Sequence, residues 1–367
     1  MKLDNNKKEI IETNESKVIV LSPAGSGKTS IITERIKYLL KNGKENIVAL
    51  TFTNNAAQEI SKRIINSGIE LRNTFIGTVH SYCARLLFRH GISEVSTSIE
   101  EQDFDNLFNL IKNNNKCIEP VDYLLLDEAQ DSTEQQFEFI LDVIKPKNYF
   151  LIADIRQSIY SFNGARPDIL LDLCDIPETK IYKLNINYRC KYNILIFAKN
   201  IINKLGYRFE DNSIADKKGG NVFEVEFAPE NVLKIIQNSI KNEPENKENN
   251  TKYNYKDWFI LVRTNDQLNT IYNYLIKNNI PCDTFKQSDL SNSELEKKKQ
   301  ENTVKILTIH SAKGLENKNV IVGSFHFSSK DEERRLAYVA ATRAIDNLYW
   351  FKPKNKKRKP KIENWED

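Results

Sequence analysis

A chain of 367 residues is too long for one ordinary core and suits two domains of roughly 180 each, and its 40% hydrophobic and 10% aromatic content excludes wholesale disorder. Lys+Arg 54 against Asp+Glu 50 leaves a net charge of +4, so no single sign of charge covers the surface and any nucleic-acid groove must be local. A mean hydropathy of -0.54 and the lack of an apolar run near ~20 residues exclude a membrane-spanning helix. The opening MKLDNNKKEI has no apolar core behind its charges, so no secretory signal is read there and a soluble, cytoplasmic protein is expected. Cys83, Cys117, Cys174, Cys190 and Cys282 are an odd number with no CxxC pair, which argues for reduced thiols rather than a zinc or iron–sulfur site.

In chain order, the first short apolar run is Val18–Leu21, followed by Thr29–Lys41 with Ile32, Ile36, Leu39 and Leu40 at helical spacing. Ile47–Leu50, Tyr123–Leu126 and Tyr149–Ile152 are further apolar runs without polar alternation, each too short for a helix. Such runs predict strands buried on both faces, and strand–helix–strand order predicts a parallel α/β sheet. The pattern restarts after about Pro177 with Phe259–Val262, an amphipathic stretch from Gln267 to Lys277, then Val304–Ile309 and Val320–Val322. The expected division is therefore 1–178 and 179–351. Asp211–Gly220 and Lys241–Tyr253 read as loops, and Lys352–Asp367, with seven basic and three acidic residues, reads as a basic tail.

Between the first run and the first helix lies Ser22-Pro23-Ala24-Gly25-Ser26-Gly27-Lys28-Thr29-Ser30. A strand, a glycine-containing loop and a helix start are the context of a phosphate-binding loop, whose backbone N–H groups cradle phosphate oxygens. Ala24 to Ser30 would hold the nucleotide, with Lys28 on the β/γ phosphates and Thr29 on Mg²⁺. Ser22 stands where the general pattern has glycine. Asp127 and Glu128 end another apolar run, where ligands sit in open α/β sheets. Asp127 would hold Mg²⁺ through water, and Glu128 would orient and deprotonate the attacking water. The competing reading is a surface acidic pair. The two motifs alone leave kinase-type phosphoryl transfer open, whereas the Asn-Lys-x-Asp segment of a GTPase is missing.

DEAQD (Asp127–Asp131) and the loop occur with TFTNNAAQEI, GTVHSYC, QSIYSFNGA, NYRC, TIHSAKGLE and YVAATRA, in an order that resembles the UvrD/Rep family of superfamily 1 DNA helicases from Leu3 to about Tyr349. The resemblance implies two RecA-like P-loop domains with parallel sheets and nucleotide in the cleft between them. It implies that Gln157 senses the γ-phosphate, Tyr188 stacks on adenine, Glu316 binds the ribose, and Arg189 and Arg343 close on the γ-phosphate from the second domain. It further places Phe52, Asn54, His80, Tyr160, Phe162, Thr308 and His310 against single-stranded DNA. Base stacking suits a grip on any sequence; for Phe52, packing beside a buried strand competes with that role.

The chain departs from the family at several points. Lys7 stands where an adenine-reading Gln is usual, which puts nucleotide selectivity in question. Asn163 replaces an Arg, Asn317 follows Gly314-Leu315-Glu316 where an aromatic is usual, and Ala153 opens the segment Ala153–Gln157 in place of Gly. Gly91–Val121 and Lys286–Thr303, at 31 and 18 residues, are too short for the accessory domains that the family inserts there. The resemblance implies an ATP- and Mg²⁺-dependent translocase or helicase on single-stranded DNA, moving 3′ to 5′. The other reading is a DNA-stimulated regulatory ATPase with little unwinding of its own, acting with a nuclease partner in repair or phage (antiviral) defence. The basic tail is expected to add non-specific DNA affinity.

Overall fold

The computed structural model describes residues 4–101, 103–206, 210–226, 228–241, 253–286, 289–323 and 331–352. The first sheet contains β1 (Lys17–Leu21), β2 (Ile47–Thr51), β3 (Thr74–Thr78), β4 (Tyr123–Leu126), β5 (Asn148–Ala153) and β6 (Lys180–Lys183), in the order β3-β2-β4-β5-β1-β6. Every pairing in it is parallel. A two-stranded sheet pairs β7 (Ile186–Lys191) with β8 (Ile214–Lys217). The second six-stranded sheet uses β9 (Asn221–Glu226), β10 (Trp258–Val262), β11 (Cys282–Asp283), β12 (Val304–Thr308), β13 (Asn317–Val322) and β14 (Ala344–Lys352). Its order is β11-β12-β10-β13-β14-β9, again with parallel pairings.

The unbroken apolar runs follow from this layering. Ile19, Leu124, Leu126 and Leu151 enter the core shared with helices Val79–Arg89 and Phe104–Asn113. Val18, Val20, Leu125, Phe150 and Ile152 enter the opposite core, under helices Asn5–Glu12, Lys28–Lys41 and Asn54–Ile65. Successive side chains point to opposite faces, so a strand covered on both sides has no polar phase. The second sheet divides likewise, Phe259 and Leu261 on one face and Trp258, Ile260 and Val262 on the other.

Three sequence expectations need correction. The first sheet continues past 178, because β6 pairs with β1 through Val18–Lys180 to Leu21–Lys183. Asp211–Gly220 is not all loop: Ile214–Lys217 is β8, whose mostly exposed residues gave no apolar signal. Lys352 belongs to β14 and pairs with Glu224 at 2.6 Å, so the tail cannot begin there. Residues 353–367, and 242–252 of the expected Asn-rich loop, lie outside the described residues. Among the described residues, no helix is long and apolar enough to cross a membrane.

An amide ladder, buried at Asn319 and Asn347, ties strands of the second sheet. Asn319 on β13 donates to Asp257 O (3.1 Å), Asn347 on β14 donates to Asn319 Oδ1 (2.7 Å), and Asn221 on β9 donates to Asn347 Oδ1 (2.8 Å). One-residue slips would orphan these amides, so they fix register among three parallel strands. Asn347→Ala is expected to lower unfolding free energy by about 2 kcal/mol in urea titrations, since it leaves the buried Asn319 Oδ1 without its donor.

Between the two α/β units, Arg156 donates to Asp154 Oδ1 (2.7 Å) and Glu210 O (3.1 Å) and lies 3.6 Å from Asp211, which accepts from Tyr338 OH (2.7 Å). Burial pushes the Asp211 carboxyl up, but the Arg156 charge and the Ser213 and Tyr338 hydrogen bonds outweigh it and hold it below the usual range. A carboxyl depressed in the folded state stabilises above its unfolded pKa, near pH 4, and that contribution drains as pH falls through the lower folded value. Asp211→Asn is therefore expected to flatten the acid limb of the stability–pH curve below about pH 4, measured by urea unfolding.

Candidate active site and nucleic-acid cleft

The carboxyl ends of the first sheet converge on one rim. After β1 the chain turns through Gly25 (φ 67) and Gly27 (φ 90, ψ 37), both in the left-handed region, and enters helix Lys28–Lys41. Gly27 is that helix's N-cap, so free backbone N–H groups face the loop. Ser22 is buried, and its hydroxyl bonds that of Ser26, which also donates to Pro23 O (2.8 Å). The departure from glycine at Ser22 is thus absorbed by a hydroxyl brace within the loop. Ala24 is buried, and Ser30 N closes the first turn on Gly27 O (3.1 Å).

Gly25 is required by a close approach as well as by φ. A Cβ there would lie 2.6 Å from Arg189 Cβ and 2.9 Å from Asn187 Oδ1. Tyr188 N donates to Gly25 O (2.9 Å), and Asn187 Nδ2 donates to Ala24 O (2.8 Å), so β7 is docked on the loop itself.

Lys28 Nζ lies 3.6 Å from Glu128 Oε1, and Thr29 Oγ1 donates to Asp127 Oδ2 (3.3 Å). Glu128 adopts φ 52, ψ 42, a left-handed conformation that costs a non-glycine residue about 1 kcal/mol and turns its side chain into the cleft beside Lys28. Gln130 Nε2 donates to Glu128 Oε2 (2.6 Å) and to Asp131 Oδ2 (3.2 Å). Burial and the adjacent Glu128 charge raise the Asp127 carboxyl. Burial also opposes ionisation of Glu128, but the charges of Lys28, Lys313 and Arg343 and the Gln130 bond hold it below the usual range. Glu128 therefore stays charged while Asp127 is the carboxyl most in need of a cation. Thr29 and Asp127 form an all-oxygen pair suited to Mg²⁺, which ordinarily takes few protein ligands beside substrate phosphates. Among the described residues, no cluster of three or more His, Cys, Asp or Glu could hold a metal by itself.

The facing wall comes from the second unit. Arg343 is buried and, among the described residues, donates to uncharged oxygens: Gln157 Oε1 (3.1 Å), Val339 O (3.0 Å), Leu315 O (3.1 Å) and Thr342 Oγ1 (3.2 Å). Burial, followed by the like charge of Arg189, pushes its pKa down to about 9. Gln157 in turn donates to Asp154 Oδ2 (2.7 Å). Arg189 pairs with Glu316 and donates to Thr342 O (3.2 Å), so two expected site residues meet each other. Tyr188 OH donates to Asp4 Oδ2 (2.8 Å), and Lys7 Nζ lies 3.9 Å from the centre of its ring.

Three side chains at this site carried no role in the sequence reading. Lys313 forms an ion pair with Asp131 and donates to Gln157 O (2.7 Å), linking the two units, and Gln130 aligns Glu128. Burial raises Asp131 to about 6 despite Lys313. All three lie inside motifs already picked out, DEAQD and TIHSAKGLE. Their roles were invisible because Asp131 and Lys313 are 182 positions apart.

A cleft of ≈ 1800 Å³ runs above this site, bounded by Phe52–Ala56, His80, Arg85, Phe88, Phe104, Tyr160, Ser291–Ser293, His310, Ser311 and Lys313–Leu315 among others. Phe52 is 44% exposed and stacks on Tyr160 at 5.0 Å, so it is not core. Tyr160, Phe162 and His310 continue the row at 5.3 to 6.0 Å, with Phe162 66% exposed. His80 packs separately on Phe104 (5.0 Å) and Phe108 (5.5 Å). Asn54 opens helix Asn54–Ile65 at the rim. Thr308 is apart from the aromatic row, its hydroxyl bonded to Ser311 Oγ (2.9 Å) and accepting from Ser311 N (3.2 Å), a turn brace.

Comparison with known proteins agrees with this arrangement. The UvrD/REP helicase N-terminal domain matches residues 3–114 and 93–176, and the UvrD-like helicase C-terminal domain matches 182–290 and 283–354. An ATP-dependent DNA helicase Rep from Buchnera aphidicola (subsp. Schizaphis graminum) is 27% identical over 379 residues, covering 77% of this chain and 56% of its own length. The Escherichia coli ATP-dependent DNA helicase Rep is also 27% identical, with 77% and 55% covered. A probable DNA helicase from Mycoplasma pneumoniae is 26% identical, with 95% and 82% covered. The chain thus spans little more than half the length of the Rep proteins it matches. With both family domains matched in order, and two parallel-sheet units meeting at a phosphate loop, the chain belongs to the UvrD/Rep-like family of superfamily 1 helicases.

Proposed function

We propose that this protein is a DNA-stimulated nucleoside triphosphatase that uses ATP to move along single-stranded DNA, in the 3′ to 5′ direction of the family it resembles. The observation that carries this reading is the cross-cleft chain Lys28–Glu128–Gln130–Asp131–Lys313, joined through Gln157 to Arg343. On this reading it would join phosphate-binding, water-activating and charge-stabilising groups from both units in one series of polar contacts. The same chain reaches the aromatic row, since Lys313 Nζ lies 4.8 Å from the Tyr160 ring centre.

In the proposed cycle, Lys28 and the backbone N–H groups of Gly25–Thr29 hold the β and γ phosphates. Glu128, kept ionised, takes the proton of the attacking water, with Gln130 fixing its second oxygen. Arg343 meets the charge that develops on the γ-phosphate, and Arg189 joins it on releasing Glu316. Thr29 and Asp127 would hold Mg²⁺, which when bound neutralises phosphate charge. Loss of the γ-phosphate changes what Arg343 and Gln157 bond, and Lys313, bonded to Gln157 O, passes the change to Tyr160 and the DNA grip. Phe52, Tyr160, Phe162 and His310 supply the stacking faces for bases.

Lys28→Ala is expected to abolish turnover, and Arg343→Ala to lower kcat by about 10³. Glu128→Gln is expected to bind nucleotide without turning it over. Steady-state hydrolysis with and without single-stranded DNA checks all three, and wild-type turnover by Glu128→Gln would remove the assigned base. Only short segments stand at the accessory positions, with helix Asn292–Gln300 in the second of them. A base-pair step costs about 1.4 kcal/mol, so geometry rather than energy is limiting. Strand displacement on a 3′-tailed duplex is expected to be weak beside the hydrolysis rate; efficient displacement by the protein alone would contradict this.

A further inference from the structure

Helix Asn292–Gln300 belongs to the second unit but ends on the first. Its later half stands on the second sheet, where Lys298 Nζ pairs with Asp283 of β11 (2.5 Å), and Leu295 is buried. Its start is stiffened by a reciprocal cap, Ser291 N donating to Glu294 Oε2 (2.8 Å) and Glu294 N to Ser291 Oγ (3.4 Å). That capped end meets the first unit. Asn55 Nδ2 donates to Leu290 O (3.0 Å), and Asn292 Nδ2 donates to Asn55 O (3.1 Å) and Gln58 Oε1 (3.2 Å). Asn55 and Gln58 lie at the start of helix Asn54–Ile65, whose N-cap, Thr53, follows Phe52 of the aromatic row.

Asn55, Gln58, Ser291 and Asn292 line the same ≈ 1800 Å³ cleft as Phe52, Tyr160 and His310. Cross-unit contacts therefore border this space at two places, Tyr160 with His310 and Lys313 with Asp131 at one, and the Asn55–Asn292 contact at the other. The volume exceeds the roughly 300–1,000 Å³ of a small-molecule pocket and suits a length of polymer. Lys62, Arg85 and Lys286 also line it, cations that suit a phosphate backbone beside stacking faces. The three bonds of the contact join neutral amides and carbonyls at a partly exposed place, where water replaces them at little net cost. Such a contact can part and reform.

We propose that residues 290–300 are a clasp that closes over a DNA strand lying on the aromatic row, so that the chain encircles the strand instead of holding it in an open groove; this rests on the reading of the cleft as the path of single-stranded DNA. A motor must release its stacking grips in order to move, and a bar across the groove keeps the strand within reach during that step. The clasp is the short segment itself, with Asn55 and Gln58 as its catch.

The test closes the clasp covalently in the full chain. Asn55→Cys and Asn292→Cys are combined, and the protein is bound to a ligated single-stranded DNA circle or to the linear strand of the same sequence. A short bismaleimide then joins the two cysteines, and the products are separated under denaturing conditions. The circle is expected to remain with the joined protein and to come free when it is cut, whereas the linear strand slides off. Joining the cysteines before DNA is added is expected to abolish binding of the circle, while the linear strand still enters by its end. The pair Gln58→Cys and Ser293→Cys closes the same gap should the first pair disturb folding. Release of the circle like the linear strand, retention of both, or retention that does not need both cysteines would overturn the clasp. So would failure of both pairs to join, or a pre-joined protein that binds the circle as before or binds neither DNA. If the unmodified protein bound neither form of DNA, the functional reading would fall and the clasp with it. Binding of both forms without retention of the circle would defeat the clasp alone.

Discussion

The organising constraint in this molecule is a buried cation, Arg343, held across the cleft from the phosphate loop by oxygens that carry no charge. A desolvated guanidinium costs several kcal/mol unless it finds charge, and neutral acceptors repay only part. Its depressed pKa expresses the same imbalance. An anion delivered to the cleft would be met by groups already in position, which is how preorganised charge contributes to phosphoryl transfer. Gln157, Leu315 and Val339 fix the guanidinium in place, so its location depends on helix Asp331–Ala341, the TIHSAKGLE turn and the end of β5 together.

The same junction joins the phosphate-loop side of the cleft to the aromatic row. Lys313 bonds Asp131 on the turn after β4, the carbonyl of Gln157, and the face of Tyr160. Asp131 is buried, which raises its carboxyl to about 6 despite the Lys313 charge. Elements with two discrete arrangements transmit a change at one site to another without needing a long path. The aromatic row itself crosses the two units, Phe52, Tyr160 and Phe162 from one and His310 from the other. A shift between the sheets would therefore alter the spacing of stacking faces.

What holds the units in register is polar and local. Arg156, Asp211 and Tyr338 form a buried group beside Gln157, and Gly25 permits β7 to lie directly on the phosphate loop. Removing one member of a buried charged group costs more than the pair ever contributed, which favours keeping the whole set. This contact, the Lys313 and Arg343 bridges and the Asn55–Asn292 contact (3.1 Å) are among those that connect the two α/β halves.

The sequence alone determined the class of fold, because strands covered on both faces must read as short apolar runs with helices between them. The runs at 18–21, 47–50, 123–126, 149–152 and 259–262 are all strands, and the loop at 22–30 enters a helix with its glycines at positive φ. Strands β6, β7 and β8, largely exposed or half-buried and without a buried apolar run, left no such trace, and so the first sheet's extension past 178 was not legible. The residues of the site were legible as motifs, whereas their partners were not. Pairings such as Lys313 with Asp131, Arg343 with Gln157 and Arg189 with Glu316 join positions more than 100 apart, and no local pattern encodes them. Tertiary structure also decided that Phe52 faces the cleft, that Thr308 braces a turn, and that the Lys7 ammonium lies buried against Tyr188. Local spacing fixes which backbone forms, but which side chains meet depends on the packing of whole sheets, and only the folded chain brings those together.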